Sequence, residues 1–144
     1  MKILNTRLLI LVGFLAIYSC ELINDVPDDS DPRARIEGQW QCDENSQLYK
    51  STEDIYWVYI DPDPNDSTRV IISNFYNLGN DIDVYVKVND NSLSISNQTT
   101  KDGYKVLSGS GSVSSNYKEI NWSYRIDDGS GEIDNVTATY TKVY

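Results

Sequence analysis

The sequence predicts an all-β domain, an eight-stranded antiparallel up-and-down barrel over residues 36–144. Three observations predict it. From Ile36 onward, apolar and polar residues alternate in short runs. The links between runs are rich in Asn, Asp, Gly and Ser and are too short for a crossover, so consecutive strands must pair antiparallel. Stretches with a helical period are missing. Strict alternation buries one face and wets the other. A single meander with one apolar face has to curl to cover it, and joining its edges makes a barrel. A two-sheet sandwich is the alternative.

The runs follow in order. Ile36 to Cys42 puts Ile36, Gly38, Trp40 and Cys42 on one face. Asp54 to Ile60 sets Ile55, Trp57 and Tyr59 against Tyr56, Val58 and Ile60. Thr68 to Phe75 is the third run. In the fourth, Asp81 to Val88, the residues Ile82, Val84, Val86 and Val88 alternate with Asp83, Tyr85 and Lys87. Ser92 to Asn97 turns Leu93 and Ile95 inward, after a tight turn at Asn89-Asp90-Asn91. Tyr104 to Ser114 alternates through Leu107, Gly109, Gly111 and Val113. Glu119 to Ile126 shares one face among Ile120, Trp122, Tyr124 and Ile126, and Asn135 to Val143 turns Val136, Ala138 and Tyr140 inward.

The first 35 residues have a different character. Lys2 and Arg7 lead an uncharged apolar stretch, Leu8 to Tyr18. It is shorter than the roughly 20 residues a spanning helix needs, and it fits the core of a secretory signal. The stretch ends Ile17-Tyr18-Ser19-Cys20, which resembles the lipobox of bacterial lipoproteins. The resemblance implies cleavage before Cys20, a diacylglycerol thioether on its sulfur and an acyl group on its new amino terminus. More than one chain is what stable anchoring needs, since each buried methylene contributes about 0.8 kcal/mol. Residues 1–19 are therefore read as signal peptide. Residues 20–35 are read as the lipidated cysteine and an acidic, flexible tether, because Asp, Pro and Ser dominate from Asp25 to Pro32. The acidic stretch after the cysteine also resembles the surface-export signal of Bacteroidetes lipoproteins. The expected address is the outer membrane, at its periplasmic face or the cell surface.

Composition narrows the chemistry. The chain carries a net charge of −10. Without Lys2 and Arg7, ten basic residues face 22 acidic ones, a net charge of −12. Such a surface repels nucleic acid and anionic lipid. With Cys20 lipidated, Cys42 has no partner for a disulfide. The chain contains no histidine, so the commonest general base and zinc ligand is missing. No cofactor and no metal is expected, and no enzymatic activity, because the alternation sends most acids outward or into loops.

A wider resemblance rests on several segments. Gly38-Gln39-Trp40 resembles the Gly-x-Trp signature of the calycins, which include lipocalins and fatty-acid-binding proteins. DPNDST (Asp63 to Thr68), ISNFYNLG (Ile72 to Gly79) and NWSYRIDDGSGEIDNVTATYTK (Asn121 to Lys142) are similar to the small lipocalin-like lipoproteins of Bacteroidetes. This resemblance covers essentially the whole domain. It implies a calycin-like barrel and an envelope location, with no defined activity.

The candidate ligand-cavity residues are Trp40, Gly109, Gly111, Trp122 and Tyr124. The tryptophans read first as core. Two inward glycines leave a gap that a neighbouring Trp or Tyr fills, a strand bend absorbs, or a ligand occupies. Asp61-Pro62-Asp63-Pro64-Asn65-Asp66 spaces oxygens as calcium loops do, but it lacks their sixth-position Gly and twelfth-position Glu, so it reads as a solvated turn. The acids Asp127, Asp128, Glu132 and Asp134 read the same way. Asp66-Ser67-Thr68 resembles the Bacteroidetes O-glycosylation sequon, which would place sugar on Ser67. Tyr85 and other outward tyrosines offer a recognition surface, or simply reflect strand preference. The function expected from this set is a non-enzymatic binding module at the outer membrane. It would take a small apolar ligand or serve as an accessory subunit of an envelope or uptake complex. The alternative is a protein-binding inhibitor or adaptor with a filled barrel.

Overall fold

A computed structural model describes residues 31–49 and 55–143. Cys20, the signal stretch and the tether as far as residue 30 lie outside the described residues. The described chain is all-β apart from two short turns of helix: α1 (Pro32–Ile36), β1 (Gly38–Ser46), β2 (Ile55–Pro62), β3 (Arg69–Ser73), a 3-10 turn (Phe75–Asn77), β4 (Asp83–Asn89), β5 (Ser92–Ile95), β6 (Gln98–Thr99), β7 (Lys105–Val113), β8 (Glu119–Asp127) and β9 (Ile133–Lys142). Among the described residues no helix is long and apolar enough to cross a membrane.

The sheet closes on itself. Strands β1 to β5 pair in sequence order, β5 pairs with β7, and β7, β8 and β9 lead back to β1. This is a closed eight-stranded antiparallel barrel, with β6 as one extra strand beside the start of β7. The closing β1–β9 pair runs from Trp40↔Lys142 to Ser46↔Val136, and β5–β7 from Ser92↔Ser112 to Ile95↔Gly109. The alternation decides which side faces in. Tyr56, Val58 and Ile60 are buried while Ile55, Trp57 and Tyr59 stand outside. Val84, Val86, Ile120, Trp122, Tyr124, Ile126, Val136 and Tyr140 complete most of the inner wall. Burying each such side chain stabilises the fold by about 1.5–3 kcal/mol.

Three elements differ from the sequence expectation. Pro32–Ile36 is helical, where the pattern ends a tether and begins a strand. Five residues cannot hold a helix alone. Here the Asp31 side chain caps it by accepting from the Arg33 amide at 2.9 Å, Pro32 suits the first turn, and Ile36 is buried in the barrel end. The last carbonyls are taken by side chains of the barrel, with Trp40 Nε1 donating to Ile36 O at 2.9 Å and Lys142 Nζ to Arg35 O at 2.8 Å. Second, the register of β7 against β8 shifts between Val106 and Ser108, so Leu107 is the extra residue of a bulge. Val106, not Leu107, is the buried residue there. Third, the run expected to stop at Asn97 breaks and resumes as β6.

Where β4 and β5 part, a side chain continues the pairing. The Gln98 amide accepts from Tyr85 N at 2.9 Å and donates to Tyr85 O at 2.8 Å.

Candidate functional site

The inner space beside the two glycines is filled. A Cβ on Gly111 would lie 2.8 Å from Trp122 Cε3, and one on Gly109 would lie 2.8 Å from Ile95 Cδ1 and 3.1 Å from Tyr124 Cβ. Of the open alternatives, filling by neighbours is the one found. Trp122 lies in the core with its ring 5.9 Å from Tyr140. Trp40 sits at the α1 end, its ring 5.5 Å below Lys142 Nζ. Only Tyr124, of the five cavity candidates, reaches the opposite end. Ser67 is exposed in the β2–β3 connection, beside an Asp66 whose carboxylate accepts from Thr68 N and Oγ1 at 2.9 and 2.7 Å.

The end away from α1 is a mouth built by strand ends and the segments between them. β1 continues its inward alternation past Cys42 to Glu44 and Ser46, and β2 brings Tyr56 alongside. The β3–β4 connection drives Phe75 into the barrel, where its ring lies 4.6 Å from that of Tyr124. Asn74, Tyr76 and Asn77 take left-handed φ of 61°, 56° and 55° to achieve this. Such a conformation costs about 1–2 kcal/mol for a residue like Tyr. Burial of Phe75 offsets about that much, and Asn74 secures the loop by donating to Trp57 O and accepting from Gly79 N, each at 2.7 Å.

Two carboxylates organise the mouth. Asp134 is 1% exposed. Its Oδ1 accepts from the Gln47 and Leu48 amides at 2.9 and 3.1 Å, and its Oδ2 from the Ser46 hydroxyl and, at 2.7 Å, from Tyr76 OH. Glu44 Oε2 accepts from both Tyr56 OH and Tyr124 OH. Tyr49 OH donates to Asp128 at 2.6 Å. These phenols hold their protons. Burial, then the nearby charge of Tyr140, pushes Tyr56 far up, and burial followed by Glu44 does the same to Tyr124. Burial and then Asp134 raise Tyr76, while the bond to Asp128 lifts Tyr49 to about 12. The mouth encloses a cleft of about 290 Å³ lined by Glu44, Ser46, Tyr49, Tyr56, Tyr76, Asn77, Leu78 and Tyr104.

Two expectations about acids need correcting. The loop aspartates Asp63 and Asp134 read as solvated, and both are buried. Asp63 accepts from the Asn65 amide at 2.9 Å and from Arg69 Nη2 at 2.8 Å, which makes it the anchor of a turn. Sequence reasoning also missed Glu44, Tyr56, Tyr76 and Tyr104 as a group. The one available signal was the parity of Trp40, Cys42, Glu44 and Ser46. Cys42 is buried, and desolvation raises its thiol well out of the reactive range.

A second cleft, about 360 Å³, lies on the outer wall beside Tyr85, Lys87, Ser94 and Gln98. Its arginine is already engaged. Arg69 lies 5.0 Å over the Tyr85 ring and is paired with Asp63 at 2.8 Å and Asp66 at 3.1 Å. The mouth combines phenol rings and one carboxylate, that of Glu44, in one concave place, and no described residue lining it is a lysine or arginine.

No family profile and no curated protein sequence matches the chain. Fold and site together define a closed antiparallel barrel whose glycine gaps are filled by side chains and whose one mouth is lined by tyrosine.

Proposed function

We propose that this chain is a lipoprotein anchored to the outer membrane through Cys20, and that it acts as a non-enzymatic binding module through the rim of its barrel. The anchor rests on the positive leader, the short apolar stretch and the cysteine in register at position 20. The observation that carries the binding mode is the contrast between glycine gaps filled by their neighbours and a concave mouth. Trp122, Ile95 and Tyr124 occupy the space the glycines would open, while the mouth keeps a 290 Å³ cleft. A small apolar ligand enclosed between the strands therefore has less support than one held at the rim. The rim reading brings the domain close to an adaptor or inhibitor. Its occupant is a small molecule or a side chain offered by an envelope protein, in keeping with the resemblance to calycin-like lipoproteins of Bacteroidetes. The acidic charge disfavours nucleic acid.

The test places a photo-crosslinking residue at Tyr104 in the mouth or at Ser110 on the far outer wall, in the native membrane. Adducts at 104 and none at 110 support the rim. Equal yields at both, or none at either, sink it. Loss of membrane retention and of palmitate labelling in Cys20→Ala checks the anchor independently.

A further inference from the structure

We infer that the mouth is a tyrosine cage for a trimethylammonium group. This rests on the reading of the mouth as the binding face and adds the chemistry of the occupant. Tyr76 and Tyr104 form adjoining walls, with ring centroids 6.4 Å apart at 57°. Behind them Tyr124, buried and outside the cleft lining, packs against Tyr76 with ring centroids 6.2 Å apart at 83°. Tyr49 and Tyr56 line the remaining sides. A tyrosine ring carries the negative side of its quadrupole on its faces, and several such faces around one point are what holds a cation with no proton to donate.

The surrounding polar groups favour this class over two others. The hydroxyls of Tyr49, Tyr56, Tyr76 and Tyr124 already donate to Asp128, Glu44, Asp134 and Glu44. A polyhydroxylated ligand would have to compete for those bonds. A methylated ammonium needs none of them, because it is recognised by ring faces and by potential. A neutral apolar ligand would fit the rings equally well but gains nothing from the Glu44 carboxylate in the lining. An anion is disfavoured by the same carboxylate. The cleft volume sits at the small end of ligand pockets, which suits a headgroup-sized ion.

The group could arrive as a free solute or as a lipid headgroup, and the experiment separates these. The full chain in a nonionic detergent is titrated by NMR and calorimetry with choline, tetramethylammonium and dimethylbutanol, the uncharged carbon isostere of choline. Both cations should bind, with the isostere about tenfold weaker. Tyr104→Leu should weaken choline about fivefold or more, and Tyr104→Phe, which keeps the ring, should bind as wild type does. Choline binding with no pull-down on phosphatidylcholine vesicles indicates a free solute, and binding to both admits a headgroup. The inference is overturned if the isostere binds as well as choline, if choline does not bind at about 10 mM, or if Tyr104→Leu binds normally. Should Tyr104→Leu fail to fold, the isostere comparison and Tyr104→Phe still decide. Crosslinks at position 104 without choline binding would remove the cage and leave the rim; absence of both removes both.

Discussion

The two ends of the barrel solve one problem in different ways. Each buries an aspartate almost completely, Asp63 at 2% exposure and Asp134 at 1%. At the α1 end Asp63 meets the Arg69 guanidinium, and Asp31 meets that of Arg33 at 2.7 Å. Arg33 also reaches Asp63 O and Asp66 O at 3.4 and 3.3 Å, which ties helix to turn. At the mouth Asp134 meets two hydroxyls and two backbone amides, all neutral donors. Both carboxylates are satisfied, as buried ones must be. Only the first is neutralised. The difference teaches that a closed end and an open end can share a strand framework and be told apart by the charge of the donors alone.

Four experiments break or sharpen that contrast. The largest effect should come from removing the apolar stopper at either end. Trp40→Ala and Phe75→Ala should each cost about 3–5 kcal/mol in urea unfolding. Only Phe75→Ala should also disturb the mouth, because it frees the loop that carries Tyr76. Next, Asp134→Ala should cost about 3 kcal/mol, since four donors lose their acceptor and two of them are backbone amides. Asp63→Ala should cost less, about 1–2 kcal/mol, because Arg69 is 39% exposed and water can take over its donors. Equal losses would mean that the two ends are energetically alike after all.

Gly111→Ala should cost about 1–3 kcal/mol through overpacking against the Trp122 ring, 2.8 Å from the new Cβ. A stabilised variant would show that the interior has slack. The smallest effect is in acid. Asp31 is depressed chiefly by its bond to Arg33, whereas Asp128 is held at about 2 chiefly by Ser130, then Tyr49. A carboxyl lowered by folding stabilises above its unfolded value of about 3.9 and loses that contribution as pH falls towards the folded value. Both should therefore weaken the fold below about pH 4. Salt near 1 M should shrink the Asp31 shift and spare that of Asp128, as read by carboxyl carbon NMR.

The strands were legible because their alternation is strict. Ile82 to Val88 and Ile120 to Ile126 announce both the strand and its inner face, and the antiparallel barrel follows from short links. What escaped had no local pattern to show. Pro32–Ile36 is helical only because Trp40, Lys142 and the barrel end receive it. The bulge at Leu107 adds one residue to a count that assumes none, so Leu107 and Val106 exchange faces. Asp63 lies in a turn and Asp134 at the start of β9, in stretches whose composition argues for water, and only their partners, Arg69 for one and Tyr76 for the other, put them inside. The mouth was unreadable for the same reason. Its tyrosines come from four separate connections and strands, and no spacing along the chain relates Tyr49, Tyr76 and Tyr104.

The Gln98 amide at Tyr85 has a consequence for life at high local density. A strand with a bare donor and acceptor is a template on which neighbouring chains pair, and at high concentration that pairing runs on into fibrils. By presenting one N–H and one C=O of its own, Gln98 occupies both groups of Tyr85 and denies a stranger that foothold.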